Sequence, residues 1–355
     1  MRSNARLAVA GVLAAAGARL WRARGAARAA ELRGKTALIT GGSRGLGLEL
    51  ARALCAAGCR VAICARDLET LTRAVTALNN EGHDAHAIVC DVTDRAQVEH
   101  MVAEVTARLG PIDLLVANAV SAVTVGPVVA QTVEDLEEVH AALYWGVVYP
   151  IMALLPQMRA RRGRIVVVAS IGGKVPVPHM AGYSAAKHAA VGFAGALRAE
   201  LAGSGVSVTT VAPGILRTGA HLHQRYAGRA VEELTWFARG ELAPVVSIPA
   251  GRAARLIVAA AAARAGEVAF PGWTALAARL YGLFPNGMGA LLALANRMLP
   301  APPAGPPERG YGAMLQEQAD DPLLRHMAAR YEPVLRRLNQ CPEPPAHGEA
   351  AEARP

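Results

Sequence analysis

What most limits the fold of this 355-residue chain is an alternation of short apolar runs with helical stretches. Six runs read as strands: Thr36–Thr40, Arg60–Ala65, Ala85–Cys90, Ile112–Ala117, Arg164–Ala169 and Val206–Ala212. Glu267–Phe270 reads as a seventh. Helical patterns fill most of the gaps, among them Asp94–Leu109, a long stretch over Val133–Arg159 and Gly182–Ala202. Strands buried on both faces and separated by helices imply a parallel sheet with right-handed crossovers. The expectation is one doubly wound α/β domain over residues 34–272. The stretch Ile215–Ile248 interrupts the alternation after the sixth strand, where insertions in such sheets cover the ligand crevice.

Charge is unevenly placed. Net charge is +9, but residues 1–35 alone carry +7, leaving a nearly neutral body. That distribution argues against a nucleic-acid-binding domain and for an arm that meets an anionic surface. Within the arm, the uncharged run Leu7–Ala18 is flanked by arginines. It is shorter than the roughly 20 residues a membrane-spanning helix needs. Residues 1–33 therefore read as a membrane-associating segment or as a docked or frayed terminus. The five cysteines show neither zinc spacing nor a disulfide framework, which suggests a reducing, cytoplasmic setting. No metal site is expected. A helical extension is expected over 273–340, with apolar helices at Ala275–Leu283 and Gly287–Leu299, and then a disordered tail over 341–355.

The first strand leads into Thr40-Gly-Gly-Ser-Arg-Gly-Leu-Gly47, and a helix follows. Gly41, Gly45 and Gly47 let the backbone turn tightly and approach a pyrophosphate, which the free N–H groups of the helix start can bind. The spacing T-G-x-x-x-G-x-G resembles the short-chain dehydrogenase/reductase family, and the resemblance covers about residues 34–272. It implies a Rossmann-type domain with a nicotinamide cofactor lying across Gly41, Ser43, Arg44, Gly45, Leu46 and Gly47. Further family motifs follow in order. Asp91-Val92 matches the adenine contact and Asn118-Ala119 the end of the fourth strand. Pro213-Gly214 with Thr218 matches the stretch beside the nicotinamide. The second strand ends Ala65-Arg66, without the acid that would accept the ribose hydroxyls of NAD(H). Arg44 and Arg66 fit a 2′-phosphate, so NADP(H) is expected and NAD(H) disfavoured.

Tyr183-Ser-Ala-Ala-Lys187 opens a helix, so the phenol and the ammonium share one face. Ser170 ends the fifth strand thirteen residues earlier. Lys187 is one of only three lysines in the chain, against 34 arginines. A free phenol titrates near ~10, and a neighbouring ammonium lowers that value. The resemblance implies that Tyr183 is the general acid and base, that Lys187 also binds the ribose, and that Ser170 holds the substrate oxygen. Two departures from the family pattern stand out. Leu143 occupies the place of an Asn that helps hold a proton-relaying water, with His140 and Tyr144 as candidate substitutes. Ala117 and Val120 replace two residues of Asn-Asn-Ala-Gly.

The loop Gly172–Met180 and the stretch Ile215–Ile248 offer Val175, Val177, Pro178, Met180, Leu216, Trp236 and Phe237 as pocket walls. An apolar lining favours a lipophilic ketone or secondary alcohol. Hydride transfer between NADP(H) and such a substrate is the expected activity. The alternative is a catalytically weak NADP(H)-binding sensor or scaffold, for which Leu143 speaks. An epimerase or dehydratase of the extended relatives ranks last, because its glycine spacing differs. The resemblance also implies a homodimer or tetramer formed through the helices at Val133–Arg159 and Gly182–Ala202.

Overall fold

The computed structural model describes residues 30–120 and 123–340. The arm apart from its last residues, together with the tail 341–355, lies outside them. β1 (Thr36–Thr40) runs into α1 (Gly45–Ala56), β2 (Arg60–Ala65) into α2 (Leu68–Asn80), and β3 (Ala85–Val89) into α3 (Arg95–Leu109). β4 (Leu114–Ala117) and a short β5 (Thr124–Val125) precede the long α4 (Val133–Arg161). Next come β6 (Arg164–Val168), α5 (Ala181–Glu200) and β7 (Ser207–Pro213). Polar caps start several of these helices: Asp67 accepts from the Thr70 N–H, and Asp94 from those of Ala96 and Gln97. Thr132 and Asp135 cap each other at the start of α4.

The inserted stretch holds β8 (Leu216–Arg217), β9 (Arg225–Gly228), α6 (Ala230–Leu242) and β10 (Ile248–Pro249). α7 (Ala250–Ala262) and β11 (Glu267–Phe270) complete the large sheet. The extension contains α8 (Gly272–Leu283), α9 (Pro285–Asn296), β12 (Glu308–Tyr311), α10 (Gly312–Gln318) and α11 (Pro322–Arg337).

The main sheet has the order β11-β7-β6-β4-β1-β2-β3, parallel throughout. Winding reverses between β1 and β4, so the crevice lies beyond their carboxyl ends. Successive residues of β1 feed opposite layers. Ile39 packs with Leu54, Leu71 and Ile257 from α1, α2 and α7, whereas Leu38 packs with Met101, Ile151 and Ala190 from α3, α4 and α5. The seven-stranded parallel sheet is the one the alternation predicts.

α4 is apolar and long enough to cross a membrane by composition, but half of its most apolar window is buried in the fold. As the crossover from β4 to β6 it owes its apolarity to packing. Residues Ala141–Trp145 wind as a π-helical turn, which no hydrophobic period announces.

The inserted stretch and the extension form one unit over the crevice. β9 pairs with β5 and β12 in a second, three-stranded sheet. Tyr226, Leu234 and Leu242 pack with Leu315 and Leu324 from the extension, and Trp236 and Phe237 join this cluster. These two aromatics were expected in the pocket wall. They hold the lid together because α10 and α11 supply the apolar surface they need.

Close packing at the first turn depends on Gly47. A Cβ there would lie 2.0 Å from the Gly41 carbonyl oxygen and 2.8 Å from Asn118 Nδ2. Gly47→Ala is expected to destabilise the protein by roughly 2 kcal/mol, as overpacking does, measured by urea unfolding. An unchanged midpoint would show that the turn yields freely.

Candidate active site

Ser170, Tyr183 and Lys187 come together at the carboxyl edge of the sheet. Ser170 follows β6 and starts a tight turn, its Oγ accepting from the Gly172 N–H at 3.0 Å. That turn passes directly against α5: a Cβ on Gly172 would lie 2.8 Å from the Tyr183 ring. Lys187 lies one helical turn after Tyr183, with Nζ 5.9 Å from the ring centroid. It is 2 % exposed and donates to the Val168 carbonyl at 2.9 Å. Burial pushes the Tyr183 phenol above its ordinary value, and a hydrogen bond with Ser170 pulls it partly back. Burial pulls the Lys187 ammonium down to about 8. Leu143 is fully buried and packs with Val123, Val139 and Ala186 against Tyr183. His140 and Tyr144 instead lie tilted against each other at 5.1 Å, and Tyr144 also meets Trp145 and Phe193 edge to face.

The glycine turn joins β1 to α1 at the crevice. Asn118 bridges the sheet beneath it, donating from Nδ2 to the Thr40 and Gly41 carbonyls at 3.1 Å each. The N–H groups of Asn118 and Ala119 both donate to Thr40 Oγ1. No side chain caps α1, and its first turn is free of acidic residues. Leu46 packs against the core below, and Ser43 is buried. Arg44 and Arg66 have different partners. Arg44 Nη1 donates to a ring nitrogen of His223 at 3.2 Å. Burial, with the Arg44 charge beside it, holds that imidazole below its ordinary value. Arg66 is exposed and sits 3.8 Å from Asp91. Asp91 also accepts from the N–H and hydroxyl of Thr93, while Val92 packs closely on Gly146.

On the opposite lip, β7 ends at Pro213, and the Gly214 N–H donates to the Phe270 carbonyl at 2.8 Å. Thr218 begins a loop organised by Glu241, a residue no sequence motif marks. One Glu241 oxygen accepts from the N–H groups of Thr218, Gly219 and Ala220, and the other from the N–H and Nδ1 of His221. Burial raises the pKa of this carboxyl, but His221 and the hydrogen bonds outweigh it and hold the group at about 2. Two turns earlier on α6, Glu233 takes His179 at 2.8 Å and Trp236 Nε1 at 2.7 Å. One helix thus anchors both loops that flank the crevice, through two buried carboxylate–histidine pairs.

The end of the extension spans the mouth of the crevice. After α11, Leu338 accepts from the Gly45 N–H at 3.0 Å. Asn339 Nδ2 donates to the carbonyls of Ser43 and Thr70, and its Oδ1 accepts from Arg73. Gln340 Nε2 donates to the Thr218 carbonyl on the far lip. These contacts link segments from 122 to 296 residues apart in sequence, which is why no local pattern reveals them.

Comparison with known proteins shows the family and the fold. The model of the family described as short chain dehydrogenase matches residues 35–226. A Streptomyces violaceoruber protein named for a ketoacyl reductase of granaticin polyketide synthase is 38% identical over 198 residues, 54% of this chain and 72% of that one. Dehydrogenase/reductase SDR family member 7B of Xenopus laevis is 35% identical over 201 residues, 55% of this chain and 62% of the relative. A crystal structure of an actinorhodin polyketide ketoreductase variant with NADPH superposes with a TM-score of 0.60 at 32% identity. It covers 68% of this chain and 97% of that one.

Glu241 makes the loop after Thr218 sensitive to acid. Its folded pKa is about 2 against an ordinary 4.5. Its contribution is therefore complete above pH 4.5 and disappears as pH falls toward 2, for a total of roughly 3 kcal/mol. Urea unfolding of wild type and Glu241→Gln should show the variant less stable at pH 7, with the gap closing across that window. A gap independent of pH would mean that the hydrogen bonds matter and the charge does not.

Proposed function

The chain belongs to the short-chain dehydrogenase family, as an NADP-dependent oxidoreductase, and we propose that its substrate is a lipophilic ketone or secondary alcohol with Tyr183 as general acid and base. The observation that carries this reading is the convergence of Tyr183, Lys187 and the Ser170 hydroxyl at the carboxyl edge of the sheet.

The crevice residues fit the cofactor. α1 begins there without a capping side chain or an acid in its first turn, which suits a pyrophosphate once the Leu338 carbonyl releases the Gly45 N–H. Ser43, Gly45, Leu46 and Gly47 would hold that group from below and Thr218 from above. Arg44 and Arg66 would take the 2′-phosphate, and Asp91 and Val92 the adenine. Asn118, Pro213 and Gly214 would border the nicotinamide half. NADPH, when bound, supplies the hydride.

The chain's own residues handle the proton. Ser170 binds the carbonyl oxygen of the substrate and fixes it against Tyr183. In reduction the Tyr183 phenol protonates the developing alkoxide, and in oxidation the phenolate removes the hydroxyl proton. The adjacent Lys187 ammonium favours the phenolate and lowers the cost of that exchange. Leu143 gives this pocket an apolar wall where the family usually places an amide. It favours a lipophilic substrate, but it also removes the support for a water relay. That second effect is the ground for the other reading, a cofactor-binding protein with weak catalysis. We further propose that the basic arm brings the protein to an anionic surface, and that α4 and α5 pair in a homo-oligomer, since Trp145 and Met152 stand exposed on α4.

NADPH oxidation against a panel of lipophilic ketones tests the main reading. Wild type should turn over and Tyr183→Phe should lose at least about a hundredfold in kcat. Binding of NADPH without turnover of any ketone would favour the weak catalyst. A second expectation concerns the segment across the crevice. Asn339 adopts a left-handed conformation that glycine tolerates. Asn339→Gly therefore removes three hydrogen bonds while sparing the turn. NADPH dissociation, followed by stopped-flow fluorescence, should accelerate on the order of tenfold. An unchanged rate would mean that the segment lies off the exit path.

A further inference from the structure

The two helices α8 and α9 are unlike the rest of the molecule. α9 buries none of its residues and α8 buries only Thr274. Their exposed side chains are large and apolar. Leu276, Leu280 and Leu283 stand exposed along α8 at helical spacing, while Trp273 turns its ring toward Gly214; Leu291, Leu294 and Met298 form a stripe along α9 and the turn after it. Leu283 (71% exposed) and Phe284 (63%) lie at the connection between the helices, and Met298 is 86% exposed. Such a contiguous apolar surface on a protein marks a place where something docks.

Charge selects the occupant. No Asp or Glu occurs from Gly272 to Pro307, a stretch that contains Arg279 and Arg297. An isologous contact of the hairpin with a second copy would bury these arginines with no carboxylate on either hairpin to pair with them. An anionic lipid surface meets both requirements, an apolar bed for the stripes and negative headgroups for the arginines. Length decides the depth. Each helix has 12 residues, about 18 Å, well short of a bilayer's hydrocarbon core of ~30 Å. The hairpin can lie in the interface and cannot span it. Its inner side is turned toward the body of the protein. Tyr281, Leu292 and Ala293 face Val177, Pro178 and Ala181 across a groove of about 750 Å³ beside the start of α5. The outer stripes are thus left for the bilayer.

We propose that the α8–α9 hairpin is a monotopic docking element that seats the protein on an anionic membrane, independently of the N-terminal arm. The inference does not rest on the reductase activity. The full chain is mixed with vesicles of phosphatidylcholine alone or with phosphatidylserine, and binding is read by flotation. Three proteins are compared: wild type, Leu291→Glu/Leu294→Glu, and an arm variant, Arg22→Glu/Arg24→Glu/Arg28→Glu. Wild type should float with the anionic vesicles. The hairpin variant should bind at least about tenfold more weakly, because two leucines no longer enter lipid. Its thermal midpoint and its NADPH binding in lipid-free buffer should stay at wild-type values. An environment-sensitive fluorophore on Met298→Cys should shift to the blue when anionic vesicles are added. Wild-type-like flotation of the hairpin variant would overturn the proposal and assign binding to the arm. A fluorophore that stays in water, or wild type that fails to float, would overturn it as well. So would sedimentation showing a wild-type dimer that the two glutamates dissociate, since a second copy would then cover the face. Loss of ketone turnover with flotation intact would count against the reductase reading alone.

Discussion

Everything at the crevice depends on how β1 and β4 are held where the winding of the sheet reverses. Thr40 and Asn118 do this with four hydrogen bonds among neighbouring groups: two from the Asn118 amide to carbonyls, and two backbone N–H groups to one threonine hydroxyl. The polar ends of two buried strands would otherwise be left unsatisfied in the middle of the protein. The latch fixes the glycine turn, and the turn fixes the start of α1. Gly47 then allows the backbone to pass at a distance that any side chain would prevent. A helix terminus positioned this way holds its N–H groups in fixed places, and the Leu338 carbonyl takes that of Gly45.

A second constraint works from above. α6 carries two buried carboxylates, Glu233 and Glu241, and each takes a histidine from a different loop. Buried charge is costly unless it is hydrogen-bonded, and Glu241 is bonded to almost every donor within reach. The loops can therefore be irregular in sequence and still well determined in space. Closing over them, α10 and α11 bury the apolar side of α6, and the residues after α11 reach the glycine turn itself. The extension is a structural part of the lid, and it contributes polar groups to both lips of the crevice.

The apolar share of the chain, 53%, serves two ends. Most of it fills the layers on either side of the sheet. Part of the rest stands outside on α8 and α9, where no element among the described residues covers it. α4 shows why composition alone cannot separate these cases. Its hydropathy would suit a membrane, yet it is the crossover between two central strands.

The sequence by itself determined the parallel sheet, because strands buried on both faces leave unbroken apolar runs that only crossovers can join. It also determined the glycine turn and the pairing of Tyr183 with Lys187, since both rest on spacing within one turn or one helix. The exposed hairpin was legible as two apolar helices, although nothing local indicated which faces would stay uncovered. Tertiary structure decided the rest. Glu241, Glu233, His179 and Asn339 carry no local signal for their place at the crevice, because the loops they anchor lie from 20 to nearly 300 residues away. Trp236 and Phe237 read as pocket wall until the extension supplied a surface for them. The π turn over Ala141–Trp145, which contains Leu143, interrupts the helix at a point that no hydrophobic period marks. Periodicity records what a segment must bury, and only the folded chain decides what it is buried against.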